Sequence, residues 1–257
     1  MRFTSATDRT GDRLVSYFWS GETIRSRSVS EVVLTGVVEV PAPPRWLLAA
    51  WKREVSSRLE LQPGDVEALT LAPARSRWPD YKHCVQAVTQ WTRDNAMGDV
   101  LATSDVALMA SHGARYHHDG ELYGGMAFCN LFLSEDIGQD LHFPRSGLRI
   151  PLVRGTAVLF DTCNPHAVIA RGSSTFDAAD FPTDQDGTQV FLTWELPVEN
   201  TRVGNALKID FEVDPPCPSP AHEQQVWLNG AKATVCPLSG RWHTGERHPA
   251  LPVGELS

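Results

Sequence analysis

From residue 100 to about 197 the chain is cut into short apolar or alternating runs: VLATSDVALMASHG, GGMAFCNLFLSED, GLRIPLVRG, TAVLFDT, HAVIARG and TQVFLTWELPVE. Turn formers (Gly, Pro, Asn or Asp) close them. Runs of this length and spacing specify antiparallel strands stacked as two sheets over one core, a sandwich or jelly roll. The polar stretch 172–187 (GSSTFDAADFPTDQDG) reads as a long loop between two of the strands. Loops of that length inside compact domains carry function or move.

Upstream the pattern changes. EVVLTGVVEV (31–40), rich in Val and stopped by PAPP, reads as a strand. Pro43 and Pro44 then open RWLLAAWKREVSSRLEL, where Trp46, Leu47, Ala50, Trp51, Val55 and Leu59 recur at helical spacing. DYKHCVQAVTQWTRDNAM, about 80–97, reads as a second helix closed by Gly98. Trp46, Trp51, Trp78 and Trp91 fit helix faces packed on a sheet. After Asp214 a Pro-rich stretch, PPCPSP, leads into VWLNGAKATV, where Asn229-Gly230 makes a two-residue hairpin turn. No repeat or Gly/Ser linker divides the chain. The expected fold is mainly β (α+β), one domain over 1–257. It has a strand and helices over 1–99, a jelly-roll core over 100–200 with the helices packed on one sheet, and a C-terminal appendage over 201–257.

Composition narrows the function. Hydrophobic residues make up 42% of the 257 and charged residues 21%, so the chain can bury a sizeable core and is not a disordered one. A net charge of −8 argues against a nucleic-acid or anionic-membrane partner and leaves a small molecule held in a local pocket. Asp8, Arg9, Asp12 and Arg13 break up the N-terminus, which has no apolar signal segment. The longest apolar runs, such as 152–160 with Arg154 inside it, are too short to cross a bilayer. The five cysteines (Cys84, Cys129, Cys163, Cys217, Cys236) are odd in number and show no CxxC spacing, the pattern of reduced thiols in the cytoplasm.

Among nine histidines, placement is informative. In ARYHHDGELYGG, His117 and Asp119 stand two apart in a run that reads as a strand end, so both project to one face and His118 to the other. His166, in NPHAVIARG, follows a turn marked by Asn164 and Pro165 and starts another strand-like run. A bare His-x-Asp is common and by itself fits turn residues. Two His and one carboxylate on a face of an octahedral ion leave three positions open, the arrangement of Fe(II) sites that bind a chelating cosubstrate and oxygen.

LHFPRSGLRIPLVRGTAVLFDTCNPHAVIARG resembles the Fe(II)/2-oxoglutarate-dependent dioxygenase superfamily, in particular its prolyl-hydroxylase-like branch. The matching pieces are Leu141-His142-Phe143, the turn from Pro151 to Gly155, the small strand 156–160, and His166. With His117 and Asp119 upstream, the resemblance covers about 100–197. It implies a double-stranded β-helix, an iron held by His117, Asp119 and His166, and oxidative decarboxylation of 2-oxoglutarate to succinate and CO2. O2 is then the oxidant, an unactivated C–H bond is hydroxylated, and ascorbate is an optional reductant. Halogenases related to this family carry Gly or Ala where Asp119 stands, so the retained carboxylate favours an oxygenase outcome.

The chain departs from the family at the cosubstrate anchor. An Arg or Lys is expected nine to eleven residues after the distal His, but Thr175, Phe176 and Asp177 stand there, and Thr188 opens the displaced strand. Arg171 is the nearest candidate fork donor and Arg115, which shares parity with His117, the second. Asn130 and Thr193 are supporting polar contacts. Tyr116, Tyr123 and Trp194 are candidate substrate contacts, and the loop 172–187 and PARSRWPD (73–80) candidate selectivity segments. His83 and His112 read as packing or turn residues, His142 alternates with Leu141 and Phe143 and can face either way, and His222, His243 and His248 lie in the irregular tail. Two rivals stay open: a metal-dependent cupin-type enzyme without 2-oxoglutarate, and a non-catalytic jelly-roll binding module.

Overall fold

The first strands come from a stretch whose alternation is hidden by polar residues. A computed structural model describes residues 12–182, 187–213 and 224–244. It opens with a hairpin, β1 (Leu14–Ser20) and β2 (Thr23–Ser28), paired from Val15↔Ser28 to Ser20↔Thr23. β3 (Val33–Val37) follows, then α1 (Arg45–Glu54). Pro44 caps α1 in extended conformation, a place where its missing N–H costs nothing. After a π turn over Val55–Leu59 come β4 (Val66–Leu69), α2 (Ala72–Arg77) and α3 (Tyr81–Asp94).

The next eight strands form the centre of the molecule. They are β5 (Val106–Ser111), β6 (Ala114–His117), β7 (Met126–Phe132), β8 (Gln139–Phe143), β9 (Leu148–Pro151), β10 (Thr156–Asp161), β11 (His166–Ala170) and β12 (Gln189–Pro197). A single-turn helix, α4 (Gly120–Tyr123), joins β6 to β7. One antiparallel sheet has the order β10-β7-β12-β5, extended at its edges by β3 and β4; the other has the order β6-β11-β8-β9. First and last strands lie side by side in each sheet, β5 with β12 and β6 with β11, so the chain winds as a double-stranded β-helix.

Strand alternation divides the apolar residues between two cores. Leu141, Phe143, Ile150, Val158, Phe160, Val168, Phe132 and Phe191 fill the space between the sheets. The other face of the larger sheet, with Leu108, Cys129, Leu131, Leu159, Leu192 and Trp194, shares one cluster with Leu47 and Trp51 of α1 and Cys84, Val88 and Trp91 of α3. Gly155 makes the bend before β10 with φ +87°; a Cβ there would sit 2.1 Å from the Val38 carbonyl oxygen, so only glycine fits.

After α5 (Thr201–Leu207), the strands β13 (Gln225–Leu228), β14 (Ala231–Val235) and β15 (Trp242–Thr244) complete a third sheet, ordered β15-β14-β13-β1-β2. Asn229 and Gly230 both have positive φ, as a type I′ turn requires. The expected appendage is thus paired to the N-terminal hairpin, Leu14 opposite Leu228. The Pro-rich stretch 214–220, Cys217, His222, His248 and residues 183–186 of the long loop lie outside the described residues. No helix among the described residues is long and apolar enough to cross a membrane.

Candidate metal centre

His117 ends β6 and His166 begins β11, directly opposite each other in the register. A bulge makes this possible: between the pairs His166↔His117 and Val168↔Ala114, β6 spends one residue more than β11. Asp119 follows in the loop to α4, its amide donating to the Thr162 carbonyl at 2.8 Å. The ligand atoms of His117, Asp119 and His166 all lie within 4.8 Å of one another. His117 Nε2 is 3.7 Å from Asp119 Oδ1, and His166 Nε2 is 3.6 Å from Asp119 Oδ2. Both gaps are shorter than two bonds of about 2.1 Å, so one ion can touch each donor pair.

Main-chain carbonyls aim both imidazoles. His117 Nδ1 donates to the Arg115 oxygen at 2.7 Å and His166 Nδ1 to the Asn164 oxygen at 2.9 Å. A carbonyl only accepts, so each Nδ1 carries the hydrogen and each Nε2 lone pair faces the shared centre, the outer support seen around metal-ligating histidines. Burial pushes His166 down to about 3, with His117 adding to the effect, which keeps it as the neutral ligand form. Burial also raises Asp119, opposed by His117 and His118. A half-buried carboxylate that no Arg or Lys among the described residues pairs with is suited to a divalent cation. His118 turns away, packing on Trp242 at 4.8 Å with its Nδ1 accepting from Gly120 N, and burial lowers it to about 4.

The loop carrying the distal histidine is locked from below. Asp161, at the end of β10, receives both Arg27 Nη atoms at 2.7 Å, the Ser30 amide at 2.8 Å and the Cys163 amide at 2.9 Å. Arg27 and Asp161 side chains have no exposed surface. Thr162 Oγ1 donates to the carbonyls of Tyr123 and Met126, tying the two ligand-bearing loops together.

Inside the barrel mouth the rings of His166, Phe160, Phe128 and Tyr123 follow one another, with centroid spacings of 4.8, 6.1 and 5.1 Å. Asn130 and Thr193 lie opposite each other on β7 and β12, both at least nine-tenths buried, and Asn130 Oδ1 and Thr193 Oγ1 have no hydrogen-bond partner. Tyr123 stands at this mouth, half buried.

Four other expected site residues are not brought to the triad. Arg171 sits at the far end of β11, about five residues and ~16 Å along the strand from His166, and its guanidinium is engaged by Asp136 and Asp140 at 2.8–3.0 Å. Arg115 lies outside the barrel, over the Phe176 ring, because the bulge breaks its parity with His117. Tyr116 is buried on the outer face among Ala167, Ile169, Phe176 and Phe181, its hydroxyl 2.6 Å from His142 Nδ1. Trp194 points into the helix-covered core, since its neighbour Thr193 faces the barrel.

The proposed selectivity segments are also elsewhere. Phe176 and Phe181 of the long loop stack on the outside of the smaller sheet, and Ala74 and Trp78 are buried in the helix layer. His83 pairs with Asp80 on the α3 surface, His112 meets the Phe181 carbonyl, and His243 lies in β15. A cavity of 740 Å³ opens at the opposite end of the barrel, by Trp51, Glu60, His112 and Glu135, and touches none of the three ligands. Phe128, Phe160, Arg27 and Asp161 are not among the expected residues; inward parity on β7 and β10 is the available signal for the two rings.

No known family profile matches the chain, and no curated protein matches it. Solved structures similar to it include a Pseudomonas putida prolyl-4-hydroxylase, at 17% identity and TM-score 0.37 over 64% of this chain and 92% of that one. EvdO2 from Micromonospora carbonacea var. aurantiaca, complexed with 2-oxoglutarate, matches at 14% identity and TM-score 0.37 over 76% and 91%. The α-ketoglutarate-dependent epimerase SnoN from nogalamycin biosynthesis matches at 14% and 0.33 over 64% and 78%.

Proposed function

We propose that this protein is a mononuclear non-haem Fe(II) oxygenase that takes 2-oxoglutarate as cosubstrate, hydroxylates a C–H bond of a small molecule, and releases succinate and CO2. The observation that carries the reading is the convergence of His117, Asp119 and His166 at the barrel mouth, each imidazole held through Nδ1 by a main-chain carbonyl. Two neutral nitrogens and one carboxylate suit Fe(II) and leave three coordination positions for cosubstrate and oxygen. Iron with its cosubstrate supplies the oxygen-activating chemistry when bound.

The chain's own residues do the rest. Asp119 offsets one positive charge, and His117 and His166 orient the ion. Phe160, Phe128 and Phe143 keep water from the inner side of the site. Asn130 and Thr193 supply neutral hydrogen-bonding groups for the far end of a bound oxo acid. Among the described residues no guanidinium or ammonium joins them in the barrel interior. That observation favours a second reading, a cupin-type metal enzyme that attacks its substrate without 2-oxoglutarate. The free thiols of Cys84, Cys129, Cys163 and Cys236 support a reducing, cytoplasmic setting. The shared sheet of N- and C-terminal strands supports one oxygenase domain over the chain.

Anaerobic visible absorption, on adding Fe(II) and then 2-oxoglutarate, tests the proposal. A weak charge-transfer band that needs both additions and disappears in His166→Ala is the expected result. Iron binding without the band selects the cupin-type reading. No iron binding rejects both.

A further inference from the structure

The inner face of the larger sheet is a ladder of cross-strand rungs running toward the metal centre. Deepest is Phe191 opposite Phe132, their rings 5.1 Å apart. Next comes Thr193 opposite Asn130, the unpartnered buried pair. The outermost rung is Glu195 opposite Phe128. On the other side of β12, Thr193 pairs with Ala107, so the register brings Asp105 beside Glu195. The end is the metal end: Phe128 leads by Phe160 to His166, and Tyr123 packs on Phe128.

Glu195 is half buried there, yet neither its side chain nor that of Asp105 has a hydrogen bond or ion pair among the described residues. Burial and then the Asp105 charge raise its carboxyl, a cost the fold bears without compensation. At this end of the barrel the guanidiniums of Arg27 and Arg145 are already taken, by Asp161 and Glu31. In the functional reading above, Fe(II), the Asp119 carboxylate and a 2-oxoglutarate dianion together carry one negative charge. Glu195 adds a second.

We propose that Glu195, next to the unpartnered Thr193 and Asn130 on the barrel's inner face, is the receptor for a cationic group of the substrate, a primary ammonium or guanidinium. The aromatic rings of Tyr123 and Phe128 flank it and suit such a cation. The inference rests on the oxygenase reading for the word substrate, and it makes that substrate an amine.

The test compares two probes of like shape, 2-phenylethylamine (charged) and 2-phenylethanol (neutral), titrated calorimetrically into the full chain with and without Fe(II) under argon. A charge-assisted contact predicts that the ammonium binds about tenfold more tightly than the alcohol. Glu195→Gln, isosteric at a half-buried site, brings the two within about twofold and leaves iron content unchanged. Asp105→Asn keeps the preference, because it leaves Glu195 in place. Equal affinities in the unsubstituted protein, no binding of either probe, or a preference that survives Glu195→Gln or is lost in Asp105→Asn overturns the assignment. An ammonium preference without iron binding refutes the iron reading alone; iron binding without the preference refutes this inference alone.

Discussion

Replacing Arg27 by methionine strips one half from a wholly buried ion pair and leaves Asp161 charged in the interior. The guanidinium gives up two bonds to the carboxylate at 2.7 Å, one to the Gly124 carbonyl at 2.7 Å, one to the Ser28 carbonyl at 3.0 Å and one to the Cys163 sulfur at 3.2 Å. Removing one partner of such a pair costs about 3–5 kcal/mol, because the other charge stays buried without compensation. For a domain of this size each kcal/mol shifts the melting temperature by about 2–4 °C, so a fall of roughly 6–20 °C is expected. Combining Arg27→Met with Asp161→Asn neutralises the orphan charge and keeps an acceptor for one of the two amides, since Ser30 N and Cys163 N bond different carboxylate oxygens and a carboxamide has only one. The double variant is expected to recover part of the loss in urea denaturation, the amide left without an acceptor keeping the rest. Its iron affinity stays low, since Asp161 opens the turn that delivers His166. An Arg27→Met loss under about 1 kcal/mol, or full iron affinity in the double variant, would refute the reasoning.

Acid stability of the metal-free protein follows from its buried imidazoles. Burial holds His118 at about 4 and His166 at about 3, against about 6.5 in an unfolded chain. Below 6.5 the unfolded chain binds protons that the native state does not. Stability is therefore complete above that pH and falls toward pH 4, at up to about 1.4 kcal/mol per pH unit for each group. His118→Asn, which keeps an acceptor for Gly120 N, should halve the slope in melts between pH 6 and 4; an unchanged slope counts against it. Gly155→Ala meets both the positive φ and the Val38 carbonyl, and thermal melts should show a loss of about 1–3 kcal/mol or more. Arg171→Gln should cost under about 1 kcal/mol and leave the iron–cosubstrate absorption band intact; loss of the band would return Arg171 to the site.

Much of the centre could be read from local pattern. Turn formers between short apolar runs are enough to specify the jelly roll. His117 and Asp119 do share a side that His118 leaves, but not by the expected strand alternation, since β6 ends at His117 and Asp119 stands in the loop as the cap of α4. Long-range pairing escaped. The hairpin β1–β2 draws its partner from about 200 residues away, so nothing near it in the chain announces it. Parity failed at the bulge in β6, where one extra residue puts Arg115 outside while Ala114 and His117 face in. Thr193 and Trp194 are neighbours on one strand, and only one of them can enter the barrel; which one is decided by Phe132, Asn130 and Phe128 on the adjoining strand. Arg171 was well placed by distance along the sequence, but the strand carries it away from the mouth to Asp136 and Asp140.

The pairing of β1 with β13 sets a timetable for synthesis. Leu14 leaves the ribosome 214 residues before its partner Leu228, an interval on the order of 10–40 s at usual elongation rates. Throughout it, one edge of β1 presents unpaired amides and carbonyls, a template for pairing with any other chain. The hairpin that bears Arg27 therefore keeps an open edge while the whole jelly roll is made, and slowing translation anywhere between β2 and β13 should raise aggregation.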